Sequence, residues 1–292
     1  MENESGELLI LRPGPLTTVQ DLGRRGVAHL GVPRAGALDE PALRAANRLV
    51  GNEPGAAALE TTLGGVALRA VGRPAVIAVT GAPAPVLLDG RPVAWGAAVA
   101  VPAGAVLEVG AATAGVRSMV AVAGGITVAP VLGSRSADLL SGLGPAPLAV
   151  GDRLPVGPPP PHADRPDLVP LPGPGAELVL RLRLGPHAHW FTPRTLAQLG
   201  RDRYAVSPAS NRIGLRTQGP PVERALAGEL PSEGMVLGAV QIPPDGQPVV
   251  FLADHPTTGG YPVVGVVPAA DLAAAAQARP GTPVRFTPLP ER

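Results

Sequence analysis

The sequence contains neither cysteine nor lysine. Without cysteine there is no thiol nucleophile, no disulfide and no thiolate metal site, a usage compatible with the cytoplasm. Without lysine all 24 basic residues are arginine. That excludes a Schiff-base lysine, a P-loop lysine, and a lysine carrying covalent biotin or lipoate. Aromatic residues make up only 2% of the chain, so its core has to be built from Val, Leu, Ala and Ile. No apolar run reaches the ~20 residues of a spanning helix. The opening MENESGELLI lacks a charged-then-apolar leader pattern, and a cytoplasmic location without membrane partner is expected. Net charge is +1, with arginines scattered among acids rather than gathered in a stripe. Nucleic acid is therefore not an expected partner.

Glycine and proline, at 38 each, are what the chain has in abundance. Regular apolar runs between them make them turn punctuation in a β-rich fold rather than a sign of disorder. Strands are expected at Glu7–Leu11, Val66–Val71, Ala75–Thr80, Val86–Leu88, Ala97–Val101, Val106–Val109, Arg117–Ala123 and Leu148–Val156. Their even spacing suggests a barrel or sandwich. Thr17 to Asp39 reads as a long glycine-punctuated loop, and loops of that length are usually functional. Asp39 caps an expected helix over Glu40–Val50, with Pro41 in its first turn and Gly51 as its stop. Gly157 to Gly175 (GPPPPHADRPDLVPLPGPG) reads as a stiff connector. It divides an N-terminal half, 1–156, from a C-terminal half, 176–292. The second half holds expected strands at Glu177–Leu184, Tyr204–Val206, Met235–Ile242, Val249–Ala253, Val263–Val267 and Val284–Thr287. Short helices are expected after Thr192 and at Asp271–Ala278. A D-G-x-P-V corner occurs once in each half, at Asp89–Val93 and Asp245–Val249, which suggests a duplicated β module.

The chemistry-bearing residues concentrate between Ser232 and Val267. Two apolar runs meet at a Pro243-Pro244-Asp245-Gly246 turn, and the second delivers Asp254 and His255 into Thr257-Thr258-Gly259-Gly260-Tyr261. Gly259-Gly260 is either a plain tight turn or, with Thr257 and Thr258, a small concavity of N–H donors for a carboxylate or phosphate. Asp254 or His255 could then handle a proton. Arg212, in SNRIGLR, and Arg135, in GSRS, either clamp a substrate carboxylate or hold their loops to a nearby acid. His187 and His189 lack a third partner at metal-ligand spacing and read as surface or loop histidines, with no metal site expected.

Taken together, several strings resemble one family. They are TTVQDLGRRGVAHLGVPRAGALD (Thr17–Asp39), NRLVGN (Asn47–Asn52), AVAGGI (Ala121–Ile126), GSRSADL (Gly133–Leu139), SNRIGLR (Ser210–Arg216) and EGMVLGAVQIPPDGQPVVFLADHPTTGGYP. Their order and content are similar to the biotin-dependent carboxyltransferase-like family, also called allophanate hydrolase subunit 2, which includes the C subunit of bacterial 5-oxoprolinase. It also resembles the antagonist of a sporulation-kinase inhibitor. The resemblance implies a mainly β fold with a few short helices and two related cyclophilin-like β-barrel halves. It implies tight pairing with the B subunit of 5-oxoprolinase and action with the A subunit. Together they would open 5-oxo-L-proline to L-glutamate at the expense of ATP held by the complex. Two other activities follow from the same resemblance: the carboxyltransferase part of a urea carboxylase-like enzyme, or a regulatory binder of the sister subunit. Under the first reading Asp254 or His255 serves the proton step. Thr257, Thr258, Gly259, Gly260 and Tyr261 line the site, Arg212 or Arg24 holds a carboxylate, and Gln20, Asp21 and His29 complete the pocket.

Overall fold

In the computed structural model, residues 6–161, 166–170, 172–228 and 230–290 are described. The chain forms two compact units. The first comprises residues up to Arg24, Ala35–Asp138 and Gly142–Pro174; the second comprises Arg25–Arg34, Leu139–Ser141 and the chain from Gly175 onward. Two short excursions, 25–34 and 139–141, thus belong with the C-terminal residues. The connector expected at 157–175 contains neither helix nor strand among its described residues; 162–165 and 171 lie outside them.

The first unit contains β1 (Gly6–Pro13), β2 (Leu16–Gln20), α1 (Glu40–Leu49), β3 (Ala58–Thr62), β4 (Val66–Val71), β5 (Ala75–Gly81) and β6 (Val86–Leu88). It continues with β7 (Arg91–Val93), β8 (Ala98–Val101), β9 (Val106–Val109), β10 (Arg117–Val122) and β11 (Arg153–Val156). One antiparallel sheet runs β11-β1-β4-β9-β6-β7 and the other β2-β3-β10-β5-β8. Their inner faces share one core, with Leu8, Ile10, Leu68 and Leu107 from the first sheet and Leu59, Ile77, Val79 and Val120 from the second. The other face of the second sheet is covered by α1, whose Ala42, Leu43, Ala46 and Leu49 meet Ala58, Ala78, Met119 and Ala121. β10 is therefore buried on both faces, which is why RSMVAV lacks polar alternation. Asp39 caps α1 by accepting from the Ala42 N–H at 2.9 Å, as its position predicts.

The second unit contains β12 (Leu178–Leu184), α2 (Pro193–Leu199), β13 (Tyr204–Val206), β14 (Gly214–Gln218), β15 (Glu233–Gly234) and β16 (Ala239–Gln241). It ends with β17 (Val249–Phe251), β18 (Thr258–Gly259), β19 (Val263–Val266), α3 (Ala269–Gln277) and β20 (Pro283–Pro288). Seven strands close into a barrel, β12-β19-β16-β17-β14-β13-β20, sealed by the parallel pairing of β12 with β20. Leu178, Leu180 and Leu182 of β12 point inward while Arg181 and Arg183 stay in water, the alternation visible in the sequence. β15 and β18 form a small separate ribbon. The mainly β architecture with three short α-helices and a closed barrel agrees with expectation.

The two D-G-x-P-V corners adopt different turns. Asp89 and Gly90 both lie at positive φ, 47° and 76°, and make a two-residue hairpin between β6 and β7. In the second corner the Gly246 N–H donates to the Pro243 carbonyl, and Asp245 accepts from the Gln247 N–H. That loop is longer and joins β16 to β17. The shared string is thus not a shared conformation.

Candidate functional site

β17 ends at Phe251, and the following turn, closed by the His255 N–H to the Leu252 carbonyl, brings Asp254 inward. Asp254 is wholly buried and meets the equally buried Arg212. The guanidinium binds it through both forks, Nε to Oδ2 and Nη2 to Oδ1, each at 2.9 Å. Oδ2 also accepts the Leu139 N–H at 3.2 Å, and the Asp254 N–H donates to the Arg212 carbonyl at 3.1 Å. Arg212 is presented by the SNRIGLR turn, in which Asn211 Oδ1 accepts the N–H groups of Ile213 and Gly214. Of the two roles open to Arg212 in the sequence, this geometry matches the holding of a nearby acid. Its bidentate hold also engages both oxygens of Asp254.

His255 follows directly. Its ring is stacked on Phe251, with centroids 5.8 Å apart and planes 10° from parallel. Nδ1 lies 2.7 Å from the Pro256 carbonyl oxygen. A carbonyl only accepts, so Nδ1 carries the proton and Nε2 carries the lone pair in the neutral ring. That tautomer makes Nε2 the basic atom.

Beyond Pro256 the loop is fastened to its neighbours by backbone. The Met235 N–H donates to the Thr257 carbonyl at 2.8 Å, Glu233 and Gly234 pair with Gly259 and Thr258, and the Leu230 N–H donates to the Gly260 carbonyl. Neither Gly259 nor Gly260 is among the positive-φ residues. The left-handed alternation needed for a nest of N–H donors is therefore not formed here. The glycines answer to close approach instead. A Cβ on Gly259 would lie 2.7 Å from Gln241 Nε2, and one on Gly260 would lie 2.9 Å from the Leu230 carbonyl oxygen. Thr258 is exposed and Thr257 half-buried, with Thr257 Oγ1 3.4 Å from the Gly31 carbonyl. The exposed His29 belongs to the same short excursion as Gly31, in a 3₁₀ turn at Ala28–Leu30. Tyr261 is half-buried, and the Arg224 guanidinium stands over its ring, 5.7 Å from the centroid.

Of the sequence-predicted residues, Arg212, Asp254, His255, Thr257, Thr258, Gly259, Gly260, Tyr261 and His29 fall in the second unit. Gln20, Asp21 and Arg24 fall in the first. There Asp21 is an organising acceptor. Its carboxylate takes the hydroxyls of Ser134 and Ser136 (2.6 Å each) and the N–H groups of Gly23 and Arg135. Gln20 donates to Thr18 and to the Ala137 carbonyl. Arg24 is buried, donates to the carbonyls of Val131 and Ser136, and keeps Nη1 without a protein partner. Arg135 Nε reaches the Val128 carbonyl. Asn52, from NRLVGN, ties the end of α1 to AVAGGI through the Val122 carbonyl and the Gly124 N–H.

Of the surface or loop placement expected for His187 and His189, His189 is exposed, while His187 lies in a loop turn but is buried, its Nδ1 accepting the Val263 N–H. Nothing in its isolated PHAH context signals this, because the partner lies 76 residues away. Glu233, Phe251 and Arg224 likewise carry no local signal of their place around the loop. Among the described residues no group of three or more His, Cys, Asp or Glu could hold a metal, and no helix is long and apolar enough to cross a membrane.

Comparison with known proteins identifies the family. The chain is 40% identical to the C subunit of Escherichia coli 5-oxoprolinase, over 96% of this chain and 90% of that protein. The crystal structure of TTHA0988 superposes with a TM-score of 0.88 at 39% identity, covering 97% of this chain but only 56% of the solved one. The urea amidolyase of Kluyveromyces lactis gives a TM-score of 0.89 at 31% identity, covering 97% of this chain and 19% of that enzyme. The chain therefore spans about half of one solved relative and a fifth of the other. The sequence model of the carboxyltransferase domain, subdomain A and B, matches residues 30–288, and the protein belongs to that family.

Proposed function

We propose that this chain is the C subunit of an ATP-dependent 5-oxoprolinase that hydrolyses 5-oxo-L-proline to L-glutamate, paired with the B subunit and acting with the A subunit. Identity over nine-tenths of the E. coli C subunit carries the reading. Opening an unstrained lactam requires an activated carbonyl, a base for the attacking water, and a holder for the substrate carboxylate. ATP-dependent activation is assigned to the complex, not to this chain. His255 is assigned the proton step, since the Pro256 carbonyl sets Nε2 as its basic atom. Asp254 and Arg212 form the buried frame that holds His255 at the end of β17. The Thr257 and Thr258 hydroxyls and Tyr261 supply the polar wall.

The partnership has physical support within the second unit. Leu30, Leu139, Leu140 and Val236 are each more than a third exposed. They sit on, or next to, segments that hydrogen-bond to Asp254 or Thr257. Exposed leucines around a polar loop suit coverage by another polypeptide. In TTHA0988 and the urea amidolyase the equivalent segment is a part of a longer chain.

A carboxyltransferase role in a urea carboxylase-like enzyme is the second reading, favoured by 31% identity to the Kluyveromyces lactis urea carboxylase over 98% of this chain. It requires biotin carried outside these 292 residues, which include no lysine. Reconstitution separates the two. The A and B subunits mixed with this chain should form glutamate from 5-oxoproline and ATP, and omitting this chain should abolish it. Full activity without the chain would overturn the assignment.

A further inference from the structure

His187 stands in the turn between β12 and the 3₁₀ turn Ala188–Trp190, buried to 7% exposure. Its Nδ1 accepts the Val263 N–H at 3.1 Å. Val263 opens β19, two residues after Tyr261. With a backbone N–H pointing at Nδ1, the lone pair must be there, and the proton of the neutral ring is on Nε2. Nε2 lies 3.4 Å from Glu233 Oε1. Glu233 is the residue of β15 that pairs with Gly259. One imidazole therefore touches both ends of the loop: the strand on which Thr258–Gly259 is laid, and the N–H at which the chain re-enters the barrel. β19 presents no titratable side chain to the ring. His189, from the adjacent turn, has its centroid 6.2 Å away and its own Nδ1 on the Pro186 carbonyl.

We propose that His187 is a positioning residue, a latch that holds the Thr258–Tyr261 wall in register with β15 and β19. The role in turnover rests on the placement of the site in this loop; the latch itself does not. Asn and His place an acceptor at the same distance from Cβ, so His187→Asn keeps the Val263 bond and loses only the Glu233 contact. His187→Leu removes both.

Amide hydrogen exchange on the full chain tests the latch without any assay of activity. His187→Leu should speed exchange of the Val263 amide and of the 257–261 backbone by on the order of fivefold or more, the worth of one lost hydrogen bond. Exchange in β14 should stay at the wild-type rate. His187→Asn should restore slow exchange at Val263. Wild-type exchange in His187→Leu, or equal acceleration in both variants, would overturn the latch. Should His187→Leu fail to fold, Glu233→Ala replaces it: it should loosen 258–259 while leaving Val263 protected, and no change there would refute the bridge to β15. In the assembled complex His187→Leu should mainly lower kcat, with His187→Asn intermediate. A confirmed latch with unchanged turnover would place the site elsewhere and leave the latch standing.

Discussion

Asp254→Asn is the most informative stability perturbation. The substitution preserves shape and removes the charge, so that the Arg212 guanidinium, about 1% exposed, loses its bidentate ion pair with that carboxylate. Breaking a buried pair by removing one partner costs about 3–5 kcal/mol. A paired exchange to apolar side chains, Arg212→Met with Asp254→Leu, removes both charges of this pair. It also loses the acceptor of the Leu139 N–H, about 1 kcal/mol. The double variant should therefore be more stable than Asp254→Asn by about 2 kcal/mol or more. Trp190 lies in the second unit and Trp95 in the first, so Trp190 fluorescence in a Trp95→Phe background reports the barrel alone. With a slope of about 2 kcal/mol per molar, the urea midpoint of Asp254→Asn should fall by about 1.5–2.5 M. A midpoint within about 0.3 M of wild type, or a double variant no better than the single one, would refute the frame role of the pair.

Two further outcomes follow from particular contacts. Gly124→Ala, in the AVAGGI string, places a Cβ 2.0 Å from the Gly157 carbonyl oxygen at φ +94°, so it should destabilise the first unit by more than about 2 kcal/mol in a melt followed by Trp95. Asp271, in the first turn of α3, is partly buried, which opposes ionisation. Side-chain and backbone hydrogen bonds from Arg181, with its charge, outweigh that and hold the carboxyl below its ordinary range. A depressed folded value stabilises above the unfolded value and is lost as pH falls through the folded one. Asp271→Asn should thus be less stable than wild type at neutral pH, with the difference vanishing in strong acid. A difference that grows on acidification would contradict the sign.

Much of the framework is legible where burial is one-sided or runs are short and punctuated. Val66–Val71, Val86–Leu88, Val106–Val109 and Tyr204–Val206 have the bounds read from the sequence. β2 is hidden inside the loop expected from Thr17 because it is an edge strand in which three of five residues are polar yet buried. Thr17, Thr18 and Gln20 are buried, with Thr17 satisfied by the Pro13 carbonyl and Gln20 by Thr18 and Ala137. The expected Leu148–Val156 strand starts only at Arg153, because Asp152 accepts the Ala149 N–H and turns the chain. Met235–Ile242 shortens to β16, since Gly238 at φ +82° packs on the Val267 carbonyl and breaks the run.

The proposed site is legible as a stretch but not as a division of labour. Asp254 and His255 are adjacent in sequence and equal in chemical promise. What separates them is long-range: Arg212, 42 residues earlier, takes the carboxylate, while the Pro256 carbonyl sets the imidazole tautomer. His187 is illegible for the same reason, its partners being Val263 and Glu233. Partners of that kind are specified by barrel closure, and no local pattern reports them.

The central claim is that His255 handles the proton in lactam opening, and one measurement addresses it directly. Glutamate release from 5-oxoproline and ATP should be compared for the reconstituted complex carrying wild-type chain or His255→Gln, with assembly verified by co-purification. The account predicts an assembled complex whose kcat falls by roughly 10²–10⁴-fold, the usual worth of a general base. An assembled His255→Gln complex turning over at the wild-type rate would contradict it.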